Sequence, residues 1–176
     1  AAVTLAERHQ ARVFAAPMSG RCGFPEDHPL FVGHLPAMRE RIVALLAGHD
    51  AILAIGAPAF TYHVDGTGPH LPPGATLAQL IDDPATAAWT PEGTSVVCSI
   101  GLGLADLLAR PAPARRDPPA ARPPRARLPM PAPGAPLPVP WVLQTLADQR
   151  APGSIVAEEA PSARAPMQAH LPMLQS

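Results

Sequence analysis

The chain has 176 residues, 26 of them Pro, with a formal net charge of -1, and all 13 of its Lys and Arg residues are Arg. That length suits one α/β domain with an appendage and is enough to bury a core. The small net charge gives no global field for nucleic acid or an anionic membrane, and the missing Lys excludes a phosphate-loop lysine, a Schiff-base lysine and a lysine general base.

Residues 1–9 carry Val3, Leu5 and Ala6 opposite Glu7 and Arg8, the pattern of an amphipathic helix. Residues 12–16 (RVFAA) form a short predicted strand ended by Pro17. Residues 18–33 hold three Gly and two Pro, which predict a long loop without regular structure. Residues 35–48 predict a helix with Pro36 in its first turn, Met38, Ile42, Leu45 and Leu46 at helical spacing, and Gly48 as its stop. Next comes the stretch that organises the chain. Ala51 to Ile55 is a continuous apolar run, too short for a helix, and predicts a parallel strand buried on both faces. Gly56-Ala57-Pro58 stops it, and Phe60-Thr61-Tyr62-His63 follows at its carboxyl end, the edge where open α/β sheets bind ligands.

Residues 64–75 are turn-rich; 76–81 predict a strand ended by Asp82-Asp83-Pro84, 94–100 another strand, and 102–110 a helix packing back on the sheet. This alternation predicts an α/β fold with a parallel, Rossmann-like sheet. Residues 111–140 hold nearly half of the prolines, Arg115, Arg116, Arg122, Arg125 and Arg127, and one acid, Asp117. Such a segment predicts an extended linker. Beyond it, 141–150 read as a helix, 154–158 (SIVAE) as a strand, 159–162 as a turn, and the end as the start of a second helix, together an incomplete βα unit.

Cys22 and Cys98 lie far apart, which predicts reduced thiols in a cytoplasmic protein and neither a metal pair nor a disulfide framework. No apolar run approaches the ~20 residues of a membrane span. The start has Glu7, Arg8 and His9 where a signal peptide needs apolar residues. It opens without Met and in mid-helix, as a piece of a longer polypeptide does. His9, His34, His49, His70 and His170 have no close ligand spacing to a Cys, Asp or Glu pair, so no metal site is expected.

AERHQARVFAAPMSGRCGFPEDHPLFVGHLPA followed by LLAGHDAILAIGAPAFTYH closely resembles the middle domain of the benzoylformate decarboxylase group of thiamin-diphosphate enzymes. The carrying residues are Arg21, Phe24-Pro25, His28-Pro29, Phe31, Gly33, Gly48-His49-Asp50, Gly56-Ala57-Pro58, Phe60 and Tyr62-His63. The resemblance implies a central α/β domain over 1–110 without its first strand, a linker over 111–140, and the start of the thiamin-diphosphate-binding domain over 141–176. It also implies a sheet edge left open by that strand. In function it implies a non-oxidative decarboxylase of an aromatic or branched 2-keto acid, working as a dimer or tetramer with thiamin diphosphate and Mg2+, without nucleic acid or membrane. A carboligase of the same family, similar to acetolactate synthase, and a non-catalytic nucleotide-binding or scaffolding module are the alternatives. The activating glutamate of the first domain and a Gly-Asp-Gly metal motif are both missing from the sequence, so this chain alone should bind no cofactor and be inactive.

By the same resemblance His63 is the catalytic histidine. An imidazole can protonate a carbon after CO2 leaves and take the proton whose loss releases the aldehyde. A loop histidine bonded to backbone is the plain alternative. Pro161 and Ser162 align with the turn near the diphosphate and substrate, where Pro161 replaces a pocket-shaping threonine and Ser162 can also cap the next helix. His28, among prolines and aromatics, is expected to fasten its loop. Asp82-Asp83 is expected to end a strand, since no Gly-rich cradle precedes it.

Overall fold

The computed structural model describes residues 1–17, 23–120, 122–159 and 161–174. Arg21, Cys22 and Ala160 therefore lie outside the described residues. Helix α1 (Ala2–His9) ends at Gln10, which takes a left-handed φ of 49° and turns the chain into β1 (Val13–Ala15). Strand β2 (Phe31–His34) pairs parallel with β1. This corrects the expectation of an irregular loop through residue 33. Phe31 is 1% exposed and packs with Ala6, Phe24 and Leu30, and that burial outweighs the turn-forming residues around it.

Helix α2 (Arg39–Leu45) is shorter than the predicted 35–48, with Met38 rather than Pro36 at its start. Strand β3 (Ala51–Ile55) forms where the apolar run predicts it. It is not buried on both faces: Ala51 and Leu53 are exposed, because β3 is an edge strand. The buried strand is β4 (Thr76–Ile81), held between β3 and β5 (Thr94–Val97), all parallel and in the order β3-β4-β5. Leu77, Leu80 and Ile81 are each under 10% exposed, whereas Val96 and Val97 of the outer strand are 48% and 52% exposed.

Between β4 and β5 lies a short helix, α3 (Pro84–Ala88). Asp83 caps it by accepting hydrogen bonds from the backbone N–H groups of Ala85 and Thr86, so the acid ending β4 also starts a helix. Helix α4 (Ile100–Ala109) brings Leu104 onto Leu80 and Leu5, covering one face of the sheet. Among the described residues the fold is thus α/β with parallel strands, in two sheets of two and three.

The described part of 111–138 contains neither helix nor strand, as its composition predicts. It is nonetheless pinned: Leu128 exchanges two hydrogen bonds with the Gln144 amide, and Arg127 grips Asp148. Helix α5 (Val139–Gln149) follows, then irregular backbone, a 3-10 turn (Pro161–Ala163) and helix α6 (Arg164–His170). The strand predicted over 154–158 is absent, and Ile155 is 95% exposed. A β-branched run pairs only when a neighbouring edge presents its own N–H and C=O groups, and among the described residues no strand pairs with this one.

Candidate functional site

Strand β3 stops because Gly56 takes a left-handed φ of 63°, while its N–H still donates to the Leu80 carbonyl. The loop beyond is fastened from beneath. Gln79, on β4, is fully buried and donates from Nε2 to the Ala57 carbonyl at 2.9 Å. Its Oε1 accepts from the hydroxyls of Thr90 at 2.7 Å and Ser95 at 2.8 Å. Ala59 is buried with Leu71 and Leu77, so the first half of the loop is a packed extension of the sheet.

The second half carries the aromatics. Phe60 and Tyr62 lie 6.3 Å apart, and the Tyr62 hydroxyl meets Nδ1 of His70 at 2.9 Å. The Arg39 guanidinium stands 5.3 Å from the Tyr62 ring centre and donates to the Gly68 carbonyl. Burial raises the Tyr62 phenol above its ordinary range, and the nearby Arg39 charge opposes that rise. The Glu40 carboxylate accepts from the Thr67 N–H at 2.7 Å, chiefly for which its pKa is lowered. His63 follows Tyr62; its side chain is exposed, and its backbone N–H donates to the Ala37 carbonyl at 3.0 Å. The structure therefore puts the imidazole past the carboxyl end of β3, beside the approach to α2.

Pro161 and Ser162 lie in the 3-10 turn before α6, with Ser162 exposed and an ion pair of 3.1 Å between Glu158 and Arg164 flanking them. The N-cap of α6 is Ala163, which makes no side-chain cap, so the capping position falls one residue beyond Ser162. A cleft of about 2150 Å³ runs between the two sheets and is lined by Phe60 from the His63 loop and by Glu158 and Arg164 from beside the turn. Its lining includes neighbours of His63 and Ser162 but neither residue itself.

His28 fastens its loop as expected, accepting from the Leu30 N–H at 3.2 Å, contacting Glu7 at 3.4 Å and packing edge-on against Phe24. One cluster escapes sequence reasoning. Glu26 is buried, with Oε1 3.6 Å from His34 Nε2 and Oε2 3.5 Å from the Arg125 guanidinium of the linker. Arg125 also donates to the Gln168 and Ala169 carbonyls at the end of α6. Burial raises the Glu26 carboxyl and lowers the His34 imidazole, the latter further disfavoured as a cation by Arg125, Arg122 and Arg164. The signal available in sequence was an acid in an apolar loop and a basic linker needing a partner.

Among the described residues no group of three or more His, Cys, Asp and Glu is placed to hold a metal ion. Asp65-Gly66, the chain's one Asp-Gly pair, sits in an exposed part of the loop that packs on α2. These residues do not by themselves make a seat for a diphosphate and its metal. No helix of the described residues is long and apolar enough to cross a membrane.

Comparison with known proteins accounts for this arrangement. A family profile described as "Thiamine pyrophosphate enzyme, central domain" matches residues 1–107. The chain is 45% identical over 122 residues to a benzoylformate decarboxylase of Pseudomonas aeruginosa, covering 69% of this chain and 23% of that protein. It superposes with TM-score 0.88 and 34% identity on a benzoylformate decarboxylase from Polynucleobacter necessarius, covering 99% of this chain and 32% of that one. A 4-hydroxybenzoylformate decarboxylase from Rhodococcus jostii RHA1 gives TM-score 0.85 and 34% identity over 98% of this chain and 32% of that one. A thiamin-diphosphate-dependent enzyme from Mycobacterium smegmatis gives TM-score 0.87 and 29% identity over 99% and 34%. The chain thus spans about a quarter of the curated relative and about a third of these solved chains. It belongs to the thiamine pyrophosphate enzyme family and carries that family's central domain.

Proposed function

We propose that this chain is part of a thiamin-diphosphate-dependent, non-oxidative decarboxylase acting on an aryl or branched 2-keto acid. The observation that carries the reading is His63, held past the carboxyl end of β3 on a loop that Gln79 and Ala59 lock to the sheet. Similarity to benzoylformate decarboxylases supplies the reaction class. In this reading residues 1–110 are the central domain, 111–140 the linker and 141–176 the opening of the next domain. Thiamin diphosphate, with Mg2+, supplies the electron sink when bound, and its diphosphate and metal ligands come from outside these 176 residues. Pro161 and Ser162 border that cofactor's pocket. The whole enzyme is a cytoplasmic homo-oligomer, a dimer or tetramer.

The role of His63 is proton transfer to and from the substrate. Imidazole is the side chain suited to giving up and taking back a proton near neutral pH, and the anchored loop holds this one at the sheet edge where open α/β sheets bind ligands. The test is His63→Ala in the full-length enzyme. Its fold should be retained and kcat should fall ~10²-fold, the usual scale for a positioned acid or base. Carbon–carbon cleavage needs no proton from His63, so CO2 release in the first turnover should fall less than aldehyde release. Wild-type kcat in His63→Ala on the enzyme's best 2-keto acid would refute the assignment, and no CO2 from any 2-keto acid would refute the reaction class.

A further inference from the structure

Residues 60–70 leave the sheet and return to it. At the neck Ala59 and Leu71 are both buried and share one apolar cluster with Leu77 of β4. One step further out, the Tyr62 hydroxyl and Nδ1 of His70 meet at 2.9 Å, a second rung across the same loop. His63 is the first residue beyond that rung. An excursion of this size with its ends together is an Ω-loop, and such loops are ordered by their own side chains.

The part beyond the rung has no core of its own. Val64 is 58% exposed, and Asp65, Thr67, Gly68 and Pro69 are exposed as well. Burial therefore does not fix where 63–69 stand, and polar contacts have to. Three hydrogen bonds do so, each to the approach or first turn of α2. The Ala37 carbonyl accepts from the His63 N–H, the Glu40 carboxylate accepts from the Thr67 N–H, and Arg39 donates to the Gly68 carbonyl. The Gly66 backbone lies so close to this turn that a Cβ there would collide with Arg39 and Glu40.

Tyr62 joins the rung to these contacts. The Arg39 guanidinium stands 5.3 Å from its ring centre, so one cation touches both the residue before His63 and the far limb of the loop. Burial raises the Tyr62 phenol above its ordinary range, so it keeps its proton through neutral pH and can donate it to the His70 ring. With Tyr62 held at ring and hydroxyl, and the next N–H held by Ala37, the planar peptide between Tyr62 and His63 is set. The point from which the imidazole extends is set with it. We propose that Tyr62 is a positioning residue for the reaction: its ring on Arg39 and its hydroxyl on His70 fix the backbone from which His63 reaches the substrate. The proposal rests on the reading of His63 as the proton-transfer group. Tyr62 acts through His63 alone.

The test is a double-mutant cycle in the full-length enzyme with its best 2-keto acid, benzoylformate being the first tried. Tyr62→Phe keeps the ring on Arg39 and deletes only the bond to His70. It should lower kcat about tenfold, a part of the ~10²-fold that misplacing a group by about 1 Å can cost. KM and CO2 release in the first turnover should stay within about twofold, because neither substrate binding nor carbon–carbon cleavage needs a proton from His63. In His63→Ala, adding Tyr62→Phe should change kcat by less than about twofold, since no imidazole is left to misplace. His70→Ala should reproduce the effect of Tyr62→Phe, and His70→Asn, whose side chain can still pair with the hydroxyl, should recover most of it. Amide exchange gives a readout without turnover. The His63 N–H should exchange at least about threefold faster in Tyr62→Phe, while the Gly56 N–H, bonded to Leu80, is unchanged. Wild-type kcat in Tyr62→Phe, or an equal loss in the His63→Ala background, overturns the proposal and leaves the reading of His63 standing. Wild-type kcat in His63→Ala removes that reading and the proposal with it.

Discussion

Replacing Gln79 by Leu tests how the loop that carries His63 is held. The side chain is 0% exposed and serves three partners: the Ala57 carbonyl and the hydroxyls of Thr90 and Ser95. Leu keeps nearly the same volume, so the cost is polar rather than steric. Three hydrogen bonds at about 1 kcal/mol each, and a further 1–3 kcal/mol for a buried group left without a partner, set the scale. Part of this is recovered locally, because Ser95 lies 3.1 Å from the Thr90 hydroxyl and 3.4 Å from the Ala87 carbonyl. Ala57 is half-buried, so water near its carbonyl can take the place of part of the lost bond. The expected loss is therefore about 2–4 kcal/mol, a large share of the 5–15 kcal/mol that holds a typical domain.

Urea unfolding of the chain should show a lower midpoint at unchanged slope. Adding Thr90→Val and Ser95→Ala to Gln79→Leu should restore at least half of the loss, because the hydroxyls that need Gln79 are gone. In the full-length enzyme Gln79→Leu should also speed amide exchange in residues 57–63. A loss below about 1 kcal/mol in the single variant, or no recovery in the triple, would refute the claim that Gln79 anchors this loop.

Trypsin should cut first after Arg115 and Arg116, which are exposed, and slowly after Arg125 and Arg127, which are tied to α6 and Asp148; mass spectrometry of early fragments gives the order. Gly66→Ala should lower Tm, since its Cβ would stand 2.7 Å from Arg39 Cβ and 2.9 Å from Glu40 Oε1. His34 binds a proton less readily when folded than the ordinary imidazole at 6.5, so stability is lost as pH falls through 6.5 toward the lowered value. Glu26 acts oppositely: its raised carboxyl pKa makes acidification stabilising above 4.5. His34→Gln should therefore flatten the loss between pH 7 and 5.5 in thermal melts, and an unchanged profile refutes the assignment. The exposed Leu53, Val96, Val97 and Ile155 should make the chain bind a hydrophobic dye, and no dye binding would mean that these residues are covered in solution.

What could be read from sequence was local. The apolar run at 51–55, the β-branched run read as 94–100 and the helix read as 102–110 each contain enough pattern to identify their own element and, with strand–helix alternation, the α/β class, although that strand stops at Val97 and Ile100 already belongs to the helix. The end of β3 and the placement of His63 beyond it followed from Gly56-Ala57-Pro58 in the same way. What could not be read depends on partners distant in sequence. Strand β2 exists because Phe31 is buried against Ala6, Phe24 and Leu30, contacts that no window around Phe31 contains. The Glu26, His34 and Arg125 cluster joins residues about 90 to 100 apart, and the Gln79 network was hidden because Gln in a strand reads as an outward-facing residue.

The same distinction explains the two other errors about strands. An apolar run like Ala51–Ile55 states that both faces of a strand are meant to be covered, but not that the cover is present. Here Leu53 remains 38% exposed on a strand whose odd-numbered backbone groups face the cleft. The SIVAE segment has the composition of a strand and no neighbour to complete it, so its backbone stays irregular and Ile155 faces solvent. Composition fixes what a segment can pair with; pairing itself needs an edge in reach. Exposed apolar residues at β3 and at 154–158 are thus one kind of evidence, marking surfaces whose sequence already describes the cover they lack.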